Sequence, residues 1–206
     1  MITLFFSHPA LFLLIFPGLL MAIAVHEFAH AFVADKLGDP TPRYQGRLTL
    51  DPRAHLDPVG VFAMLLTNFG WGKPVMYDPY NLKQPVRDTA LIAMAGPISN
   101  LLVAILLTLA VHFLPLPELV SLGLVQIMML NVTLAIFNLI PVHPLDGGKV
   151  ILSLLPKATA YEYEEVMRRY GLLILIFLIL PTVNGASPVS LLISPAIKLI
   201  MSTLLF

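Results

Sequence analysis

The stretch LFLLIFPGLLMAIAVHEFAHAFVA, Leu11–Ala34, decides the fold. It is long enough to cross a bilayer core, which takes about 20 mostly apolar residues. Yet it carries His26, Glu27 and His30 near its end. An ionisable side chain at the centre of a spanning helix costs about 2.5–3.5 kcal/mol on insertion scales, so three of them need a common reason to be there. The rest of the 206-residue chain has the same character, with 58% hydrophobic and only 12% charged residues, against about 45–50% and about 25% in a soluble domain. These proportions predict a polytopic membrane protein.

Outward from the first span, Asp35 to Asp88 changes character. RYQGRLTL, residues 43–50, alternates polar and apolar like a short strand, and Pro and Gly recur through LDPVG, GWGKPV and YDPYN. Within this loop region VGVFAMLLTNFGW, Val59–Trp71, is apolar but too short to cross, which predicts a re-entrant or bundle-packed element. Three further stretches read as spans: Thr89–Leu114, Val120–Ile140, and a final region whose halves Val166–Leu180 and Pro188–Leu205 are separated by PTVNGASP at 181–188. YEYEEVMRRYG, Tyr161–Gly171, is an amphipathic stretch suited to a headgroup surface. The expected fold class is therefore all-α, with about five transmembrane helices and a small β or re-entrant element between the first and second. No long polar linker divides residues 1–206, which read as one domain.

Charge and composition exclude some functions. Lys plus Arg and Asp plus Glu number 12 each, giving no basic surface for nucleic acid, and the chain has no cysteine for a thiolate site or thiol nucleophile. No Lys or Arg precedes the first apolar run, so it lacks the basic start of a cleaved signal peptide and reads as retained. Seven of the twelve cationic residues lie between spans one and two and four between spans three and four. This pattern predicts an N-terminus outside the cell membrane and the HEFAH group toward the cytoplasmic face.

His26 and His30, four apart, project from one helix face and can bring two imidazoles to one ion, with Glu27 at its edge. A catalytic zinc takes three protein ligands and keeps a place for water, whose pKa falls to about 7. Glu27 is then placed to act as general base. On a soluble helix the same pattern is commonly only solvated His and Glu; its placement in an apolar run favours a shared cation. The third ligand is sought at the same depth, and Asp146 in NLIPVHPLDGG fits, with turn formation or N-capping as its plainer role and His143 as its rival. His8 and His112 fall at the opposite face and His55 in the loop, where a structural hydrogen bond is the plainer reading. Asn138 is positioned to stabilise an oxyanion, though an interhelical hydrogen bond suits it nearly as well and suits Asn100 and Asn131 better. Gly96 and Pro97 permit close helix packing or a backbone opening.

HEFAH in one span, AGPISN in the next and NLIPVHPLDGG at the end of a third resemble the site-2 protease family of intramembrane zinc metalloproteases. GWGKPV and RAHLDPVG look like the loop of its small bacterial members without a PDZ or CBS domain. The resemblance implies one zinc per chain on His26, His30 and Asp146, with Glu27 as base and Asn138 beside the metal. It implies cleavage of peptide bonds in or near transmembrane segments of membrane protein substrates, often to release a regulator. Gly70, Trp71, Gly72, Lys73, Pro74 and Val75 would help hold the substrate extended. The first family helix seen in other members has no counterpart before Leu11. The rival reading is a non-catalytic scaffold or binder of transmembrane helices, which would have no use for Glu27; a metal transporter fits less well, since the last spans offer almost no polar path.

Overall fold

The computed structural model describes residues 1–67, 69–181 and 185–205. They form nine helices: α1 (Ile2–Ser7), α2 (Pro9–Leu37), α3 (Thr41–Tyr44), α4 (Pro58–Thr67), α5 (Pro85–Phe113), α6 (Glu118–Asn138), α7 (Asp146–Leu154), α8 (Lys157–Ile179) and α9 (Pro188–Leu205). The all-α expectation holds. Four helices, α2, α5, α6 and α9, are long and apolar enough to cross a membrane.

That is one fewer than the five expected. Val166–Leu180 does not stand alone but continues α8, which carries Glu162, Glu164 and Glu165 just before it and Arg168 and Arg169 at its start. Its apolar part from Gly171 to Ile179 rises only about 14 Å at 1.5 Å per residue, half of a hydrocarbon core. The connecting stretch at 181–188 lies partly outside the described residues.

The small β element also needs correction. Among the described residues no strand forms, and pairing is reduced to a single antiparallel bridge between Leu56 and Gly72, supported by the Lys73 amide donating to the His55 carbonyl at 2.8 Å. RYQGRLTL instead begins inside α3 and continues through turns. Prolines at 40, 42, 52, 58, 74 and 79 withhold ladder N–H groups along this region, and buried Arg47 supplies side-chain donors where a neighbouring strand would supply backbone ones. The expected short element at 59–71 is α4, of 10 residues. It buries Gly60 and Met64 while Val59, Phe62 and Leu66 stay exposed on its other side, an apolar face suited to lipid.

Helices α2, α5 and α6 make the centre. Ala104 on α5 with Met128 and Val132 on α6 form one buried cluster, against which α9 lays Ile197, Ile200, Met201 and Leu204. A second, of Ile140, Val142, Leu145, Leu175, Val189 and Ile193, packs the loop after α6 against α8 and α9. The Tyr163 hydroxyl ties α8 to the same loop by donating to the Pro141 carbonyl at 2.9 Å. These contacts fix where the chain emerging from α6 turns back into the bundle.

Candidate metal centre

Helices α2 and α5 pack antiparallel, and the pairing can be read off three contacts. Ala22, His26 and His30 are spaced by four on α2, as are Ile92, Gly96 and Asn100 on α5, so each set lies on one helical face. The Asn100 side chain donates from Nδ2 to the Ala22 carbonyl at 3.1 Å and meets His26 Nδ1 through Oδ1 at 2.6 Å. His30 Nδ1 meets the Ile92 carbonyl at 2.7 Å. Between these contacts lies Gly96, where a Cβ would stand 2.5 Å from His26 Nε2 and 2.5 Å from His30 Nε2. Only the absence of a side chain leaves room for both imidazoles. Pro97, the next residue, lacks the N–H that would bond Ala93, and its ring crowds that turn, beside the carbonyl that receives His30.

Asp146 arrives from the other side. Leu145 holds the N-cap position of α7 and no side chain caps that helix, so the Asp146 carboxylate is free for another use than capping. Its Oδ2 lies 3.1 Å from His26 Nε2 and 3.2 Å from His30 Nε2. Gly147 makes the approach possible through close packing rather than backbone freedom: a Cβ there would meet the Leu139 carbonyl oxygen at 2.3 Å. His26, His30 and Asp146 are all buried and can each offer a ligand atom within 4.8 Å of the others.

The proton arrangement decides what this cluster is suited to hold. A backbone carbonyl can only accept, so His30 Nδ1 must carry the hydrogen facing Ile92. Asn100 Nδ2 faces two acceptors, the Ala22 carbonyl and Asn131 Oδ1 at 2.9 Å, so its Oδ1 must face His26 and His26 Nδ1 must donate too. Both neutral imidazoles then turn a bare Nε2 lone pair toward a carboxylate oxygen. Three electron-rich atoms converging in an apolar bundle call for a cation among them. Two imidazoles and a carboxylate suit zinc better than magnesium or calcium. A tetrahedral ion with bonds of about 2.0–2.1 Å puts its ligand atoms about 3.3 Å apart, close to the separations from Asp146.

The other expected site residues fall in different places. Glu27 is half-buried one step around α2, and its Oε2 accepts from the Val75 amide at 3.0 Å. Segment 72–76, irregular after the bridge at Gly72, lies beside it, with a Gly72 Cβ position 3.6 Å from Glu27 Oε1. Arg47 donates to the carbonyls of Ala54, Lys73 and Pro74, the last at 2.6 Å, anchoring this segment from behind. Trp71 is exposed and Val75 buried. Asn138 closes α6 and donates from Nδ2 back to Leu134 at 2.9 Å, within its own helix. His143 and His8 are exposed and outside the cluster; His112 contacts Thr108 of its own helix, and buried His55 contacts the Thr49 carbonyl at 2.7 Å. Asn100 makes the interhelical hydrogen bonds expected of it and Gly96 the close packing, and both also touch the candidate ligands. The signal for their shared role was their spacing of four in AGPISN, which puts them on one face of α5.

The sequence pattern of peptidase family M50 matches residues 118–178. A Bacillus subtilis protein named "Putative zinc metalloprotease YwhC" is 36% identical over 169 residues, covering 78% of this chain and 77% of that one. The Mycobacterium tuberculosis protein named "Putative zinc metalloprotease Rip2" is 30% identical over 186 residues, covering 87% and 71%. No solved structure matches the chain.

Proposed function

The chain belongs to peptidase family M50, and on that premise we propose that it is an intramembrane protease that hydrolyses peptide bonds in or beside transmembrane segments of other membrane proteins. Four apolar helices and relatives named zinc metalloproteases already make it a multi-pass membrane metalloprotease. The finer reading is carried by one observation: two imidazole lone pairs each come within 3.2 Å of one carboxylate oxygen beside a glutamate, in the interior of a membrane bundle.

In this reading His26, His30 and Asp146 hold one zinc ion, which supplies Lewis acidity toward water and the scissile carbonyl. Glu27 takes a proton from the attacking water and returns it to the leaving amine. Its Oε1 can take that proton while Oε2 accepts from the Val75 amide, which keeps segment Gly70–Val75 beside the base. A transmembrane helix hides its amides in internal hydrogen bonds, so the substrate must unwind, and the freed backbone can pair with the segment beside Glu27. Asn138 has a second amide hydrogen, beside the one given to Leu134, to serve as oxyanion donor. The substrate is a membrane protein segment delivered through the lipid bilayer, often a regulator to be released. The basic loops between spans one and two and between spans three and four support an N-terminus outside and a site toward the cytoplasmic face.

Metal analysis by mass spectrometry of the detergent-purified chain tests this reading. About one zinc per chain is expected, kept in His143→Ala and lost in Asp146→Ala. An active, freshly prepared parent protein without bound metal would sink it.

A further inference from the structure

We infer that Asn100 is a positioning residue: it holds His26 in the tautomer that turns an unprotonated Nε2 toward Asp146, and Asn131, on a third helix, holds Asn100 in turn. The inference rests on the zinc site proposed above but concerns groups that do not touch the metal position. Four contacts form a directed chain. Asn131 donates from Nδ2 to the Ile127 carbonyl at 2.9 Å, and this leaves its Oδ1 to accept from Asn100 Nδ2 at 2.9 Å. Asn100 donates its other hydrogen to the Ala22 carbonyl at 3.1 Å, and its Oδ1 is left for His26 Nδ1 at 2.6 Å. Both asparagines have no solvent exposure, so water cannot substitute for any partner.

Each link has a polarity that reversal would break. Turning the Asn100 amide over would set its oxygen against the two oxygens of Ala22 and Asn131, and its NH2 against His26 Nδ1. That ring would then have to accept at Nδ1 and carry its hydrogen on Nε2, pointing into the place of the metal. Turning Asn131 over would oppose its oxygen to Ile127 and its NH2 to that of Asn100. Two backbone carbonyls on α2 and α6 thus set the protonation pattern of a ligand through two side chains. An asparagine serving only to bind helices together needs no particular direction; this chain is directional throughout. Partners of this kind fix ring orientation and raise ligand basicity, and their loss typically weakens metal binding about 10- to 100-fold.

The test measures zinc dissociation constants by competition with a chromophoric chelator on the detergent-purified full chain, alongside thermal unfolding of each variant. Asn100→Leu, which has no acceptor, is expected to bind zinc about 10- to 100-fold more weakly. Asn100→Asp keeps an acceptor for His26 while losing both donated bonds, so its zinc affinity is expected to stay near the parental value although its unfolding midpoint falls as in Asn100→Leu. Parental affinity in Asn100→Leu would overturn the inference, as would an Asn100→Asp chain that loses as much affinity as Asn100→Leu. Should Asn100→Leu fail to fold, Asn131→Leu decides: weaker zinc binding in a folded chain supports the relay, and parental binding overturns it. A parent that binds no zinc would remove the metalloprotease reading and the relay together, whereas unchanged affinity in the variants removes the relay alone.

Discussion

Two histidines, His26 and His55, are both buried in this protein, and their surroundings separate its two regions. His26 sits between α2 and α5, and its ring meets side chains, those of Asn100, Asp146 and His30. His55 sits in the irregular stretch between α2 and α5 in sequence, and its ring contacts the Thr49 carbonyl while Nδ1 has no partner among the described residues. The difference is general to the two regions. Arg47 satisfies carbonyls of Ala54, Lys73 and Pro74, and Asp39 accepts from the Asp78 and Thr41 amides and from Asn81 and Thr41 side chains. In the loop, buried polar side chains replace missing secondary structure; in the bundle, helices satisfy the backbone and leave polar side chains available for chemistry. Burial of a charged residue therefore carries opposite meanings a few residues apart.

The sharpest way to break this contrast is to change bundle residues and look for loss of chemistry without loss of fold. Glu27→Gln is expected to lower cleavage of a membrane substrate by about 10²- to 10⁴-fold with zinc content unchanged; parental turnover would remove Glu27 from the mechanism. Gly96→Ala comes next, because a methyl group cannot occupy space 2.5 Å from both ring nitrogens. Overpacking costs about 1–3 kcal/mol, and here it is expected to appear as zinc binding weakened about 10- to 100-fold, read by chelator competition. On the loop side the expectation reverses. Arg47→Lys cannot fork among three carbonyls, and orphaned buried acceptors cost about 1–3 kcal/mol. Faster cleavage of the 39–84 stretch by an added protease, with zinc stoichiometry intact, is the expected result; lost zinc would show that the two regions are not separable.

The smallest effect concerns pH. Burial alone would raise the Asp39 pKa, but its hydrogen bonds from Thr41, Asn81 and Asp78 outweigh it and hold it below the ordinary carboxyl value. A folded-state pKa depressed in this way contributes stability that is present above the unfolded value, about 3.9, and is lost as pH falls through the folded one. The thermal midpoint of the parent should exceed that of Asp39→Asn at pH 6, and the gap should narrow below about pH 4. A constant gap would mean that the Asp39 charge contributes nothing to the loop.

The spans were legible because lipid imposes length and apolarity directly on sequence, as Leu11–Ala34 and Thr89–Leu114 show. The count failed at α8, where one helix joins a charged surface half to an apolar half and no local pattern marks how deep it lies. The β reading of RYQGRLTL failed because alternation describes side chains, whereas what denied a ladder was the prolines around it and the Arg47 guanidinium reaching across the loop. His26, His30 and Asp146 could be named as candidates from residue type and depth. Their surroundings could not, since Asn100 and Gly96 differ from ordinary packing residues only by what stands opposite them on α2.

The space left by Gly96 has a consequence for anyone mapping this protein by saturation mutagenesis. A scan read through protease output alone would mark residue 96 as heavily as the ligands themselves, since every replacement intrudes on both rings at once. The map would then credit with a chemical role a position whose whole contribution is the atoms it does not have. Zinc retention would group residue 96 with the ligands as well, although the vacancy there only shapes the ligands and offers the ion no atom.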